Sequence, residues 1–155
     1  MRIILTPLSE NDFQELTPLI TNEEVRKYLG GVRPVEDTLN GWRDCIKAEN
    51  VYPFTIRLKN SNAAVGLVIL APHHNPEDME VSFLLLPNQQ GQGYAKEAVE
   101  VLHSFCKQEL RLTHVVSETQ TANTRSRRLL EKLGYKIKTE TERFGEKQTI
   151  YHLEI

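Results

Sequence analysis

The pattern in this chain best suited to holding a charged ligand is Gln90-Gly91-Gln92-Gly93-Tyr94-Ala95-Lys96. An apolar run precedes it, Val81 and Phe83 to Leu86, and stops at Pro87. After it, Ala95, Ala98, Val99, Leu102, Phe105 and Cys106 recur at spacings that share one helix face. The segment reads as strand, glycine loop, helix. Such a loop presents unpaired backbone N–H groups at the positive end of a helix, which suits an anion and above all a phosphate. Gly91 and Gly93 allow the backbone to approach a bulky ligand closely. Two glycines also serve an ordinary turn, but the abrupt change from strand to helix favours ligand binding.

Two phosphate loops are excluded by residue type. A P-loop closes with Gly-Lys-Ser/Thr, whereas Gly93 is followed by Tyr94 and Ala95. A dinucleotide fingerprint needs a small residue where Lys96 stands. A third pattern, Gln/Arg-x-x-Gly-x-Gly/Ala, is filled by Gln90, Gly93 and Ala95. With Pro87 before it, and Asn123-x-x-Ser126 and Glu131-Lys132-Leu133-Gly134-Tyr135 after it, the chain resembles the GCN5-related N-acetyltransferase (GNAT) superfamily. Within it, the ribosomal-protein alanine acetyltransferase branch is the most similar. The resemblance spans nearly the whole chain.

The resemblance implies acetyl-CoA as co-substrate and no metal. It implies that the loop Gln90, Gly91, Gln92, Gly93, Tyr94, Ala95 and Lys96 holds the diphosphate, with Lys96 one turn in adding a charge. It gives the backbone of Phe83, Leu84 and Leu85 the task of bonding the pantetheine arm in a gap where two strands diverge. It assigns Asn123 to the pantetheine and Ser126 to the sulfur, while Arg128 has a lesser claim on the ribose phosphate. Helical spacing by itself also suits Asn123 as an N-cap, and Arg125, Arg128 and Lys132 as a solvated face. One departure matters. A tyrosine that reprotonates the thiolate often follows the serine by one turn, and Leu130 stands there. Ser126 or a water must then do that work.

Acetyl transfer to an amine also needs a proton acceptor and a donor for the developing oxyanion. Glu80 and Glu118 are the rival bases; either is otherwise a strand-end charge facing solvent. His73-His74 with Glu77 and Asp78 invites a metal reading, but adjacent residues point apart and no further ligand spacing exists. Neither Cys45 nor Cys106 has a histidine partner in a recognisable motif, which argues against an acyl-cysteine route. The expected activity is an acetyl-CoA-dependent N-acetyltransferase acting on a primary amine, a peptide N-terminus or a small molecule. The rival expectation is a non-catalytic acyl-CoA-binding module or sensor on the same fold.

These residues need elements to position them. The chain of 155 residues suits one domain over 1–155. A net charge of −2 provides no electrostatic drive toward nucleic acid or an anionic membrane. The absence of a long apolar run and of paired cysteines, together with a strand starting just after Met1, points to the cytoplasm. A monomer or a homodimer is expected.

Strands are predicted at 2–6, 52–58, 64–71, before Pro87, at 113–119, and as a last hairpin over 135–142 and 148–155 turning at Gly145. Helices are predicted from Ser9 through Ile20, with Asp12 in a capping role, over 22–29, from Pro34 through the Trp42 region, from Ala95, and over 123–134. Hairpins interleaved with helices indicate an α/β (α+β) fold, a mixed and mostly antiparallel sheet flanked by helices. The resemblance adds the splayed strands of the GNAT fold. The amine pocket is expected from 25–31, Trp42 and the last hairpin.

Overall fold

A computed structural model describes all 155 residues. Seven strands form one sheet in the order β1-β2-β3-β4-β5-β7-β6. They are β1 (Ile3–Pro7), β2 (Tyr52–Leu58), β3 (Ala64–Pro72), β4 (Met79–Leu85), β5 (His114–Gln120), β6 (Lys136–Arg143) and β7 (Glu146–Glu154). Every neighbouring pair is antiparallel except β4 and β5, which are parallel.

Six helices cover the two faces. Four belong to the N-terminal part: α1 (Phe13–Leu16), α2 (Pro18–Thr21), α3 (Glu23–Arg26) and α4 (Val35–Lys47). The others are α5 (Tyr94–Gln108) and α6 (Thr124–Lys132). Strand alternation divides the sheet between them. Val68, Leu70, Val81 and Leu85 pack with Ala98, Val99, Leu102 and Cys106 of α5. Leu67, Ile69 and Leu84 pack with Phe13, Leu16, Leu19, Ile20 and Trp42 on the opposite face.

Three expectations change. The helix after Ser9 is divided at Thr17 and Pro18, because Pro18 has no N–H to continue the ladder. Asp12 does accept from the Ser9 N–H at 3.0 Å, but it is buried and also takes Thr55 Oγ1 at 2.8 Å and the Arg57 guanidinium. It is thus a link between the first helices and β2. Trp42 lies edge-on to Phe13, 5.4 Å between ring centroids, and is buried. It belongs to the core, so it does not line an amine pocket.

The close approach of β3 to β4 depends on Gly66. A Cβ there would stand 2.4 Å from the Leu84 carbonyl oxygen. The close contact shows that the Leu84 carbonyl is turned toward β3, which decides which backbone groups of β4 remain for a ligand.

Candidate active site

The two central strands diverge. β3 and β4 register over seven residue pairs, whereas β4 and β5 share a single one, Glu80 with Val116. Just beyond it, side chains replace the backbone ladder. Ser117 Oγ donates to the Val81 carbonyl at 2.8 Å, and Glu80 Oε2 accepts the Glu118 N–H at 3.1 Å. β5 meanwhile stays paired with β7 along its whole length. The gap therefore opens between the C-terminal halves of β4 and β5.

Backbone direction alternates along a strand. The Leu86 N–H bonds Val65 on β3 at 2.9 Å, and the Leu84 carbonyl also faces β3. The odd-numbered residues of β4 then face the gap, in keeping with the side-chain partners of the Val81 and Leu85 carbonyls. Of the three backbone positions expected to bond a ligand, Phe83 and Leu85 face the gap and Leu84 does not.

At the end of β4, Pro87–Gln89 form a 3-10 turn and the loop follows. Gly91 and Gly93 have φ of 78° and 89°, the left-handed region that favours glycine. None of the backbone N–H groups from Gln90 through Lys96 donates to a protein acceptor; the first to do so is Glu97, on the Gly93 carbonyl at 3.2 Å. On the loop's other side, Arg2 Nη2 donates to the Gln92 carbonyl at 2.7 Å. Its guanidinium also lies 4.5 Å from the Tyr94 ring centroid and pairs with Glu97. Bonding by the Arg2 amide and guanidinium holds the Glu97 carboxyl below its usual range. The loop is thus gripped through its carbonyls and its flank, with the N–H groups left free.

The side chains around the loop differ from their sequence reading. Lys96 Nζ is paired with Glu100 at 2.7 Å, one helix turn along. Gln90 Nε2 donates to the Leu85 carbonyl at 3.3 Å, while Gln90 Oε1 accepts from Arg125 Nη1. Arg125, read in sequence as one of a solvated face, is therefore brought to the loop. Arg128 is exposed and forms no ion pair.

Asn123 caps α6, its Oδ1 accepting the Ser126 N–H at 3.2 Å, which leaves its amide nitrogen free for a ligand. Ser126 is half-buried, with a hydroxyl that bonds no other protein group. Leu130 is fully buried in the core.

At the base of the gap both carboxylates are enclosed, and neither is a strand-end charge in solvent. Glu118 has a side chain 6 % exposed; His73 Nε2 lies 2.8 Å from one oxygen and Arg143 Nε donates to the other at 2.9 Å. Burial pushes the Glu80 carboxyl above its ordinary range, against the pull of His73. One Glu80 oxygen takes the Glu118 N–H and the other is free of protein partners.

The expectation that His73 and His74 point apart fails. Their ring centroids are 3.8 Å apart, and His74 Nδ1 is 3.5 Å from the same Glu118 oxygen. Both lie beyond the end of β3 at Pro72, where no strand alternation separates neighbouring side chains. These donors lie within 4.8 Å of one another, close enough for one metal ion. Against that use, Arg143 already neutralises Glu118, and His73 and Glu118 bond each other directly. Glu77 takes no part, and Asp78 is bound elsewhere, to His114 Nε2 at 2.9 Å and Lys138 Nζ at 3.0 Å.

The sheet is thus parted at its one parallel pair, with a free row of amides at the mouth of the gap. Residues 2–136 match the family described as the acetyltransferase (GNAT) domain, and the chain belongs to that family. It is similar to the uncharacterized N-acetyltransferase YnaD of Bacillus subtilis, 22 % identical over 86 % of this chain and 78 % of YnaD. Among solved structures it resembles a GNAT-family acetyltransferase from Bacillus anthracis, with a TM-score of 0.87 at 22 % identity, covering 99 % of this chain and 95 % of that one. It also resembles spermidine N-acetyltransferase from Vibrio cholerae in complex with CoA and spermine, TM-score 0.85 at 16 % identity, over 99 % and 95 % of the two chains. An acetyltransferase from Salmonella typhimurium that modifies the N-terminal serine of ribosomal protein L7/L12 aligns with a TM-score of 0.86 at 14 % identity, over 100 % and 96 %. At these identities the structural likeness concerns the fold. No helix here is long and apolar enough to cross a membrane.

Proposed function

We propose that this chain transfers the acetyl group of acetyl-CoA to a primary amine, by direct attack of the amine in a ternary complex. The observation that carries the proposal is the run of free backbone N–H groups from Gln90 to Lys96 at the mouth of the β4–β5 gap. Seven N–H dipoles with no internal partner fit a diphosphate. The gap-facing backbone of Phe83 and Leu85 fits an amide-bearing arm bonded like an added strand.

The chemistry of the bound coenzyme is that of a thioester: a carbonyl open to attack and a thiolate that leaves. The chain's part is to place and to move protons. Backbone N–H groups lining the gap supply the donor for the carbonyl oxygen. Glu80, with one free oxygen and a raised pKa, takes the proton that the ammonium must lose, directly or through a water. Glu118 has both oxygens engaged by His73 and Arg143 and so serves to hold the base of the gap. Ser126 supplies the proton donor for the thiolate, since buried Leu130 has none. Much of the acceleration comes from holding the two reactants together.

The acceptor is a peptide N-terminus or a small amine such as a polyamine. A cytoplasmic setting fits the two free cysteines, Cys45 and Cys106. The decisive experiment follows thiol release from acetyl-CoA over a panel of peptides and small amines, with mass spectrometry of the products. Acetylated amine with stoichiometric thiol supports the proposal. A second reading, a coenzyme-binding sensor, is favoured by the absence of a hydroxyl at Leu130. Tight coenzyme binding without product on any amine would decide for it.

A further inference from the structure

We propose that the Arg125 guanidinium binds the diphosphate of the coenzyme, and that the Gln90 side chain positions it and is not itself an anion ligand. This deepens the reading of Gln90 to Lys96 as a coenzyme loop and rests on it.

A diphosphate is a concentrated anion, and neutral amides answer it with dipoles alone. Three cations stand at or beside the loop. Arg2 is committed to Glu97, and Lys96 to Glu100. Arg125 has no carboxylate partner; its one bond within the protein is Nη1 to the Gln90 side-chain oxygen. It is exposed, and its remaining guanidinium N–H groups are free for a ligand. A guanidinium presents five donors in a planar fork that matches phosphate oxygens.

Arg125 stands in the first turn of α6, beyond β5, while the loop follows β4. The two strands have parted by then, so nothing in the sheet brings them together. The Gln90 side chain spans that distance. Its Nε2 is anchored on the Leu85 carbonyl at 3.3 Å, and its Oε1 holds Arg125. An amide fixed in that orientation offers its oxygen, an acceptor, to the mouth of the gap. An acceptor repels a phosphate oxygen but directs a guanidinium. Gln90 thus contributes by aiming a cation.

The test measures dissociation constants of the full chain for CoA, dephospho-CoA and pantetheine, by calorimetry or by competition against CoA. In Arg125→Gln, affinity for CoA and for dephospho-CoA should fall by the same factor, about tenfold or more, and pantetheine, which has no phosphate, should be unaffected. Arg125→Lys should recover part of the loss. The deficit should shrink as salt is raised, because an exposed charge is being removed. Gln90→Leu should weaken CoA binding in the wild-type background and add little in Arg125→Gln.

Several results would overturn the proposal. CoA affinity could be unchanged in Arg125→Gln, or pantetheine could lose as much as CoA, which would mark a general structural effect. A loss confined to CoA and missing with dephospho-CoA would move Arg125 to the ribose phosphate. A full additional loss from Gln90→Leu in the double variant would make Gln90 an independent ligand. Failure of the underlying reading looks different: the unaltered protein would then bind none of the three.

Discussion

The two ends of β4 solve opposite problems. At its C-terminal end the chain leaves donors unsatisfied, a row of amides with nothing in the protein to accept them. At its N-terminal end the carboxylates of Asp78 and Glu118 are answered by His114, Lys138, His73 and Arg143. The first end is built from backbone and from one contiguous stretch, so it can serve any ligand with a diphosphate. The second is built from side chains delivered by β3, β4, β5 and the last hairpin, so it can be particular to this protein. On the proposed function, the difference separates a shared coenzyme half from an individual acceptor half. Glu80 stands at the boundary, with one oxygen on the Glu118 amide and one free.

The contrast yields predictions of decreasing size. Gly93→Val forces a branched residue into φ 89° and places a Cβ 3.1 Å from Arg2 Nη2. Coenzyme affinity should drop about a hundredfold or more, while circular dichroism and the melting temperature show the fold intact. Equal affinity would mean that the loop is not the anion site.

Glu80→Gln should lower kcat by about ten- to a hundredfold and leave coenzyme affinity within about twofold. A base must be unprotonated, so kcat/KM of the unaltered enzyme should fall as pH falls through the raised Glu80 pKa, above the usual carboxylate range. That limb should vanish in Glu80→Gln. Its persistence would transfer the role to another group.

His73→Phe removes the partner of a Glu118 side chain that is 6 % exposed. Stability at neutral pH should fall by about 1–3 kcal/mol in urea unfolding, with coenzyme affinity preserved. A loss of coenzyme affinity equal to that of Gly93→Val would erase the separation of the two halves. The smallest effect belongs to Lys96→Ala. Because its ammonium is paired with Glu100, CoA affinity should change by less than about twofold, read in the same binding assay.

Local sequence determined the coenzyme half. Gly91 and Gly93 sit between an apolar strand and a periodic helix, and their residue type opens to both the left-handed backbone that they adopt. The family pattern and nearly every strand were legible for the same reason: each rests on neighbours in the chain. The break at Pro18 is local too, since it follows from the missing N–H of that one residue.

Only the tertiary structure decided the rest. Arg2 behind the loop and Arg125 at its mouth come from segments remote in sequence, and nothing in a solvated-looking helix face distinguishes a residue that meets Gln90. The Glu118 partners, His73 and Arg143, lie 45 and 25 residues from it. The strand faces of Phe83, Leu84 and Leu85 were set by how β3 pairs at Gly66, and Trp42 by what α1 packs against. A backbone site needs only the conformational preferences of adjacent residues, whereas a side-chain site needs distances that exist only once the sheet has assembled.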